Sequence, residues 1–186
     1  MMKLYHTGYQ VIENPDIHHG RKNADFGQGF YVSDDREFCL RWARKNRDQS
    51  PIINEYELET AGLKIKSLER DETWTEYILA NRRLQDDVFK EYDVICGPIA
   101  NDTIYDTLGL ISSGFLSLPQ AAHMLKIGPQ YRQIVLKSEK AASQLSFITA
   151  ETVSDETIES YRQAVSREEE EYQELFATAL YALLNE

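Results

Sequence analysis

A histidine followed by a small residue and a glycine stands near the start of the chain, in Leu4-Tyr5-His6-Thr7-Gly8. On a strand, this spacing lets an imidazole face a cleft while the backbone of Thr7 and Gly8 passes close to a ligand. The competing reading is a histidine satisfied within the fold, and a short motif does not separate the two. A second segment, from Gly20 to Ser33, reads Gly-Arg-Lys-Asn-Ala-Asp-Phe-Gly-Gln-Gly-Phe-Tyr-Val-Ser. Gly20, Gly27 and Gly29 permit tight turns and close approach. Arg21 and Lys22 offer the positive charge that a pyrophosphate attracts. Tyr31 follows Gly29 by two residues on an apolar run, so its ring is available to stack on a planar group. A plain hairpin loop with an aromatic core strand is the alternative. The spacing matches neither a Walker loop nor a Rossmann fingerprint.

The elements that must position these residues are short. Lys3 to Thr7 reads as a first strand, and Phe30 to Ser33 as a second. Asp34 reads as a helix cap with Glu37 three residues on, opening a helix with Phe38, Cys39, Trp42 and Ala43 on one stripe. Arg36, Arg41, Arg44 and Arg47 lie off that stripe. Ile52 to Leu58 and Leu63 to Leu68 read as strands. Asp71 opens a helix carrying Trp74, Ile78 and Phe89. Tyr92 to Cys96 reads as a buried strand ended by Gly97-Pro98. Asp102 caps a short helix with Ile104, Tyr105 and Leu108. Ser117 and Pro119 start another, stopped by Gly128-Pro129. Tyr131 to Lys137 is strand, Ala141 to Leu145 a helical turn, and Phe147 to Val153 strand. Ser154-Asp155 caps a long last helix. Short strands with irregularly placed helices read as an α+β fold.

Composition narrows the functional classes. The chain has 186 residues, long enough for one well-packed domain. No run approaches the roughly 20 apolar residues of a membrane span, and Met1 to His6 shows no apolar h-region, so no signal peptide is expected. Cys39 and Cys96 form neither a disulfide framework nor a metal spacing, so we expect reduced thiols in a cytoplasmic protein and no metal. His18 and His19 read as solvated loop residues and His123 as structural. The net charge of −11 opposes nonspecific nucleic-acid binding. The charge is uneven: residues 154–186 hold nine acids against two arginines, whereas residues 1–50 hold eight basic residues against seven acids. A phosphate-bearing ligand therefore belongs with the N-terminal part.

The Tyr-His-Thr-Gly strand, the Gly-Arg-Lys-Asn-Ala-Asp-Phe-Gly-Gln-Gly-Phe-Tyr segment and Gly97-Pro98-Ile99-Ala100-Asn101-Asp102 together resemble an uncharacterised bacterial domain family. That family is grouped with the ADP-ribosyltransferase superfamily. The resemblance covers roughly residues 2 to 150. It implies a split β-sheet core with flanking helices, residues 1–153 as an NAD-binding domain, and NAD as substrate. It implies that His6 holds the adenosine ribose and Tyr31 stacks on nicotinamide. His6, Thr7, Gly8, Arg21, Asn23, Phe26, Gly29, Tyr31 and Ser33 form the implied NAD-binding set. The superfamily's third residue is a glutamate that bonds the nicotinamide-ribose 2′-hydroxyl; here the matching position is Gln133. An amide hydrogen-bonds but carries no charge, so Gln133 supports binding while weakening stabilisation of a cationic ribose. Glu139, Asp25 or Asp102 are candidates to supply a carboxylate, and Gln133→Glu is expected to raise cleavage.

Residues 154–186 read as an acidic amphipathic helix. Ile158, Val165, Tyr172 and Ala179 repeat every seven residues, with Leu175, Phe176, Leu180 and Leu183 extending the stripe and Glu168 interrupting it. The stripe packs on its own domain, or residues 155–185 meet an antitoxin or a second copy of the chain. The leading functional expectation is an ADP-ribosyltransferase acting on an unknown macromolecular acceptor, in the manner of a toxin of a toxin–antitoxin pair. The alternatives are a non-catalytic NAD or ADP-ribose binding module and an interaction protein acting through its last helix.

Overall fold

The computed structural model describes residues 1–46, 49–100, 114–129 and 131–184. Arg47, Asn101, Asp102 and the expected helix over Ile104, Tyr105 and Leu108 lie outside them. Among the described residues the chain is mixed α and β, with two sheets and a long C-terminal helix. One sheet has three strands in the order β1 (Met2–Gly8), β3 (Ile52–Leu58) and β7 (Leu145–Thr152), all antiparallel. The other has four, in the order β2 (Phe30–Val32), β6 (Arg132–Leu136), β5 (Val94–Pro98) and β4 (Ile65–Ser67). Only its β4–β5 pair is parallel.

The sheets touch edge to edge at one point. Tyr5 on β1 and Ser33 just after β2 exchange both main-chain hydrogen bonds, at 2.8 and 2.9 Å. Alternation along the strands then builds two cores. Phe30 and Val32 of β2 and Ile134 and Leu136 of β6 face inward with Leu4, Tyr56 and Leu58 of the first sheet. The intervening Val135 and Ile95 face the other way, against Phe26 and the helix α2 (Glu72–Arg82) through Trp74, Tyr77 and Ile78. Tyr31 packs against this second core.

Helix α1 (Arg36–Arg41) covers the outer face of the first sheet with the start of α5 (Asp155–Leu184), burying Cys39, Leu40, Ile53, Val153 and Ile158 together. The α1 cap is Asp35 rather than Asp34: its carboxylate accepts from Glu37 N at 2.9 Å and Phe38 N at 3.2 Å. The helix also ends at Arg41, so Trp42 leaves the expected buried stripe and is 54% exposed. Asp71 does cap α2, but α2 ends at Arg82 and Leu84 turns left-handed at φ 57°. Phe89 therefore reaches Tyr77 from a loop, with ring centroids 4.8 Å apart.

Helices α3 (Leu118–Leu125) and α4 (Glu139–Ser143) complete the described elements. The far half of α5 packs Tyr172 and Phe176 on Leu116 and on Met124 of α3. Glu168, the break in the α5 stripe, has a partner in the body: it pairs with Arg41 and accepts from the Tyr131 hydroxyl at 3.0 Å. The helix thus docks by apolar contacts at both ends and a polar clamp between them. Leu175 remains 57% exposed. Among the described residues no helix is long and apolar enough to cross a membrane.

This packing predicts opposite outcomes for two neighbouring residues. Phe176 is fully buried, so Phe176→Ala should lower stability by about 3–5 kcal/mol. Leu175→Ala should change it by less than about 0.5 kcal/mol. Urea midpoints measure both, and a large loss at Leu175 would show that this face is covered in solution.

Candidate functional site

The cleft opens where the sheets part beyond the Tyr5–Ser33 bridge. It encloses about 480 Å³, within the range of small-molecule sites. His6, Thr7 and Gly8 of β1 line one wall; Tyr31, Val32 and Ser33 line the facing wall. Gln133 of β6, Arg21 from the loop before β2, and Tyr5, Tyr9, Phe38, Cys39, Trp42 and Ile99 complete it.

His6 Nδ1 lies 2.7 Å from the Tyr31 carbonyl. A carbonyl only accepts, so Nδ1 carries the proton and Nε2 keeps its lone pair. Burial pushes the imidazole pKa down, which favours this neutral form. Gly8 leaves the space beside Nε2 open: a Cβ there would come within 3.3 Å of it. The result is a neutral hydrogen-bond acceptor held across the gap between the sheets.

Tyr31 is fixed by its hydroxyl, which donates to Gly27 O at 2.7 Å and accepts from Phe26 N at 3.0 Å. Burial raises its pKa far above the neutral range. The ring therefore suits a stacking surface and not proton transfer. Gly29 lets this segment lie against β6; a Cβ would meet Val135 Cγ1 at 2.5 Å and Leu136 O at 2.6 Å. Gln133 Nε2 donates to Asp25 Oδ2 at 3.3 Å, and Asp25 is gripped in turn by Arg82 at 2.6 and 2.8 Å.

The expected binding set divides on this geometry. His6, Thr7, Gly8, Arg21, Tyr31, Ser33 and Gln133 share the cleft. Thr7 and Ser33 use their hydroxyl protons on the carbonyls of Cys39 and Arg132, at 2.7 and 3.2 Å. Asn23, Phe26 and Gly29 do not line it. Asn23 is exposed, and Phe26 is fully buried in the core below. Glu139 pairs with His18, away from the cleft, and Asp102 lies outside the described residues.

Several contributors had no sequence signal. Asn54 is fully buried opposite His6 and holds the following loop, donating to Gln10 O at 3.0 Å and accepting from Ile12 N at 2.9 Å. Arg82, which grips Asp25, is another. A smaller cavity of about 170 Å³ adjoins through Phe38, Trp42 and Ile99 and extends toward Arg41, Tyr131 and Glu168.

A family model described as "Protein of unknown function (DUF3990)" matches residues 2–147. No curated protein and no solved structure matches the chain.

The state of His6 gives a pH prediction. Its folded pKa lies below its unfolded value of about 6.5. The unfolded chain therefore takes up the proton first on acidification, and stability contributed by neutral His6 falls as pH drops from about 6.5 toward the folded pKa. Nitrogen-15 NMR should show Nδ1 protonated and Nε2 bare at neutral pH, with a titration midpoint below 6.5. His6→Gln should flatten this part of the stability–pH curve. A midpoint at or above 6.5 would contradict the buried, neutral assignment.

Proposed function

Since the chain belongs to the DUF3990 family over residues 2–147, its chemistry must be read from its own cleft, and we propose that it is an NAD-dependent ADP-ribosyltransferase. The supporting observation is that His6, Tyr31 and Gln133, from strands β1, β2 and β6, line one cleft at the parting of two sheets. In this reading the family's core is the split sheet of the ADP-ribosyltransferase superfamily. His6 Nε2 accepts a hydroxyl of the adenosine ribose. The Tyr31 ring stacks on nicotinamide. Arg21 meets the pyrophosphate at the rim. Gln133 accepts the 2′-hydroxyl of the nicotinamide ribose.

The reaction breaks the bond between nicotinamide nitrogen and ribose C1′, and the electron pair leaves with nicotinamide. The sugar carbon becomes cationic in the transition state. An oxygen or nitrogen of the acceptor then bonds C1′ and gives up its proton to solvent or a base. The acceptor is a macromolecule, and the chain would act as a toxin held in check by an antitoxin or second copy on α5. A second reading, an NAD or ADP-ribose binding module, is favoured by the uncharged Gln133, because an amide stabilises a cation less than a carboxylate does.

NAD labelled in its adenylate phosphate, incubated with the protein and with cell lysate, separates these readings. Labelled macromolecule supports transfer. Saturable binding with no nicotinamide release supports the module. Neither binding nor release contradicts both. Within either reading, Arg21→Ala should weaken NAD binding by about 1–2 kcal/mol in calorimetry, as for a charge-assisted hydrogen bond at an exposed rim. Unchanged affinity removes Arg21 from the site.

A further inference from the structure

The carboxylate that meets Gln133 is Asp25, and its position decides what the amide presents to a ligand. An ionised carboxylate only accepts hydrogen bonds, so the 3.3 Å contact must be Nε2 donating to Oδ2. Among the described residues no donor reaches Gln133 Oε1, which leaves that oxygen as the amide's free acceptor beside the cleft. Asp25 is not free to swing. Its Oδ1 holds Arg82 Nε and Nη2 at 2.8 and 2.6 Å, its Oδ2 also accepts from Ala100 N at 3.4 Å, and its carbonyl accepts from Asn81 Nδ2 at 3.2 Å. The Asp25 and Arg82 side chains are only 18% and 17% exposed, so the pair is screened little by solvent.

We infer that Asp25 is a positioning residue that turns Gln133 into an obligate hydrogen-bond acceptor for a ligand hydroxyl. This rests on the NAD reading, in which that hydroxyl belongs to the nicotinamide ribose. A glutamate presents two acceptor oxygens and a charge in one side chain. Here the two properties are divided: Gln133 supplies the acceptor oxygen, and Asp25 orients it and supplies the charge one hydrogen bond farther out. A charge-assisted bond to the amide NH₂ also pulls electron density toward Oε1 and makes it a better acceptor.

The arrangement changes what Gln133→Glu does. A second carboxylate at this position would face Asp25 at about the present 3.3 Å, and two carboxylates that close do not both ionise. The single exchange should therefore leave nicotinamide release unchanged or lower it. The informative change moves the charge instead of adding one. Asp25→Asn removes it and permits the Gln133 amide to flip, turning donors toward the ribose. Asp25→Asn with Gln133→Glu restores one acid and one amide with their places exchanged, the amide at position 25 donating to the new carboxylate.

Three readouts test the inference. Asp25→Asn should lower nicotinamide release roughly 10- to 100-fold, as loss of an outer partner does at other sites. The dissociation constant for NAD should stay within about threefold, because the interaction matters most as the ribose turns cationic. The double variant should recover release to within about threefold of wild type. Full release in Asp25→Asn, or a double variant no better than the single one at equal melting temperature, would overturn it. Should Asp25→Asn fail to fold, the wild-type side-chain NH₂ signals of Gln133, identified by their loss in Gln133→Leu, carry the test. Signals displaced from those of exposed glutamines support the bond, and signals at the exposed positions overturn it. That measurement needs no NAD. If the wild-type chain neither binds nor cleaves NAD, the functional reading falls while the Asp25–Gln133 geometry is still judged on its own.

Discussion

The Asp25–Phe26–Gly27 turn is the constraint on which the cleft depends. Its polar groups are held from four directions. Asn81 of α2 donates to the Asp25 carbonyl, Lys137 donates to the Phe26 carbonyl, and the Tyr31 hydroxyl joins Phe26 N and Gly27 O. Gly27 N closes the turn on Ala24 O at 2.9 Å. Gly27 sits at φ +73°, and a Cβ there would strike Asn81 Oδ1 at 2.8 Å, so glycine is required twice over. Lys137 is itself nearly buried and paired with Asp87 at 2.6 Å. A buried ammonium is tolerable only because the carboxylate and the Phe26 carbonyl both accept from it. Each satisfied bond contributes about 0.5–1.5 kcal/mol, and each orphaned one would cost about 1–3 kcal/mol. The turn therefore has little freedom, and neither do the Tyr31 ring and Asp25 carboxylate that it sets.

The second constraint is the parting of the sheets. Two edge strands that paired along their whole length would leave no cavity. β1 and β2 instead share one bridge, Tyr5 with Ser33, and separate toward His6 and Tyr31. The Tyr31 carbonyl, free of that ladder, accepts from His6 Nδ1. One hydrogen bond thus satisfies a strand-edge carbonyl, sets the histidine tautomer and spans the cleft. The inner core beneath, with Phe30 against Tyr56 edge-on at 5.7 Å, holds the two walls at a fixed angle.

How much of this was legible depended on the range of the interaction. Strand alternation and most caps are local, and Tyr56 and Leu58 on β3 or Asp71 before α2 follow from neighbouring residues. Local signals also erred locally. Asp34 matched a cap through Glu37 three residues on, but Ser33 Oγ accepts from Asp35 N at 3.1 Å and the Asp35 carboxylate is the one that caps. Trp42 matched a helical stripe, but the helix stopped one residue before it. Glycines were legible as demands for space without their partners: nothing near Gly29 announces Val135 and Leu136. Glu168 showed only as a break in a pattern, since Arg41 and Tyr131 are remote in sequence. The Gln133–Asp25 contact joins residues 108 apart, and no spacing rule reaches that far. Asp25 was one of three acids without a way to choose, until the fold excluded Glu139 by placing it against His18.

The proposed chemistry requires a dinucleotide in the gap between β1 and β2. A crystal structure of the full chain with a non-cleavable NAD analogue tests this most directly. It should show the nicotinamide ring on the face of Tyr31, a ribose hydroxyl on His6 Nε2, and the other ribose within hydrogen-bond reach of Gln133 Oε1. An analogue seated elsewhere, such as against Arg41 and Glu168 between α1 and α5, or one whose ribose meets Gln133 Nε2, would contradict it.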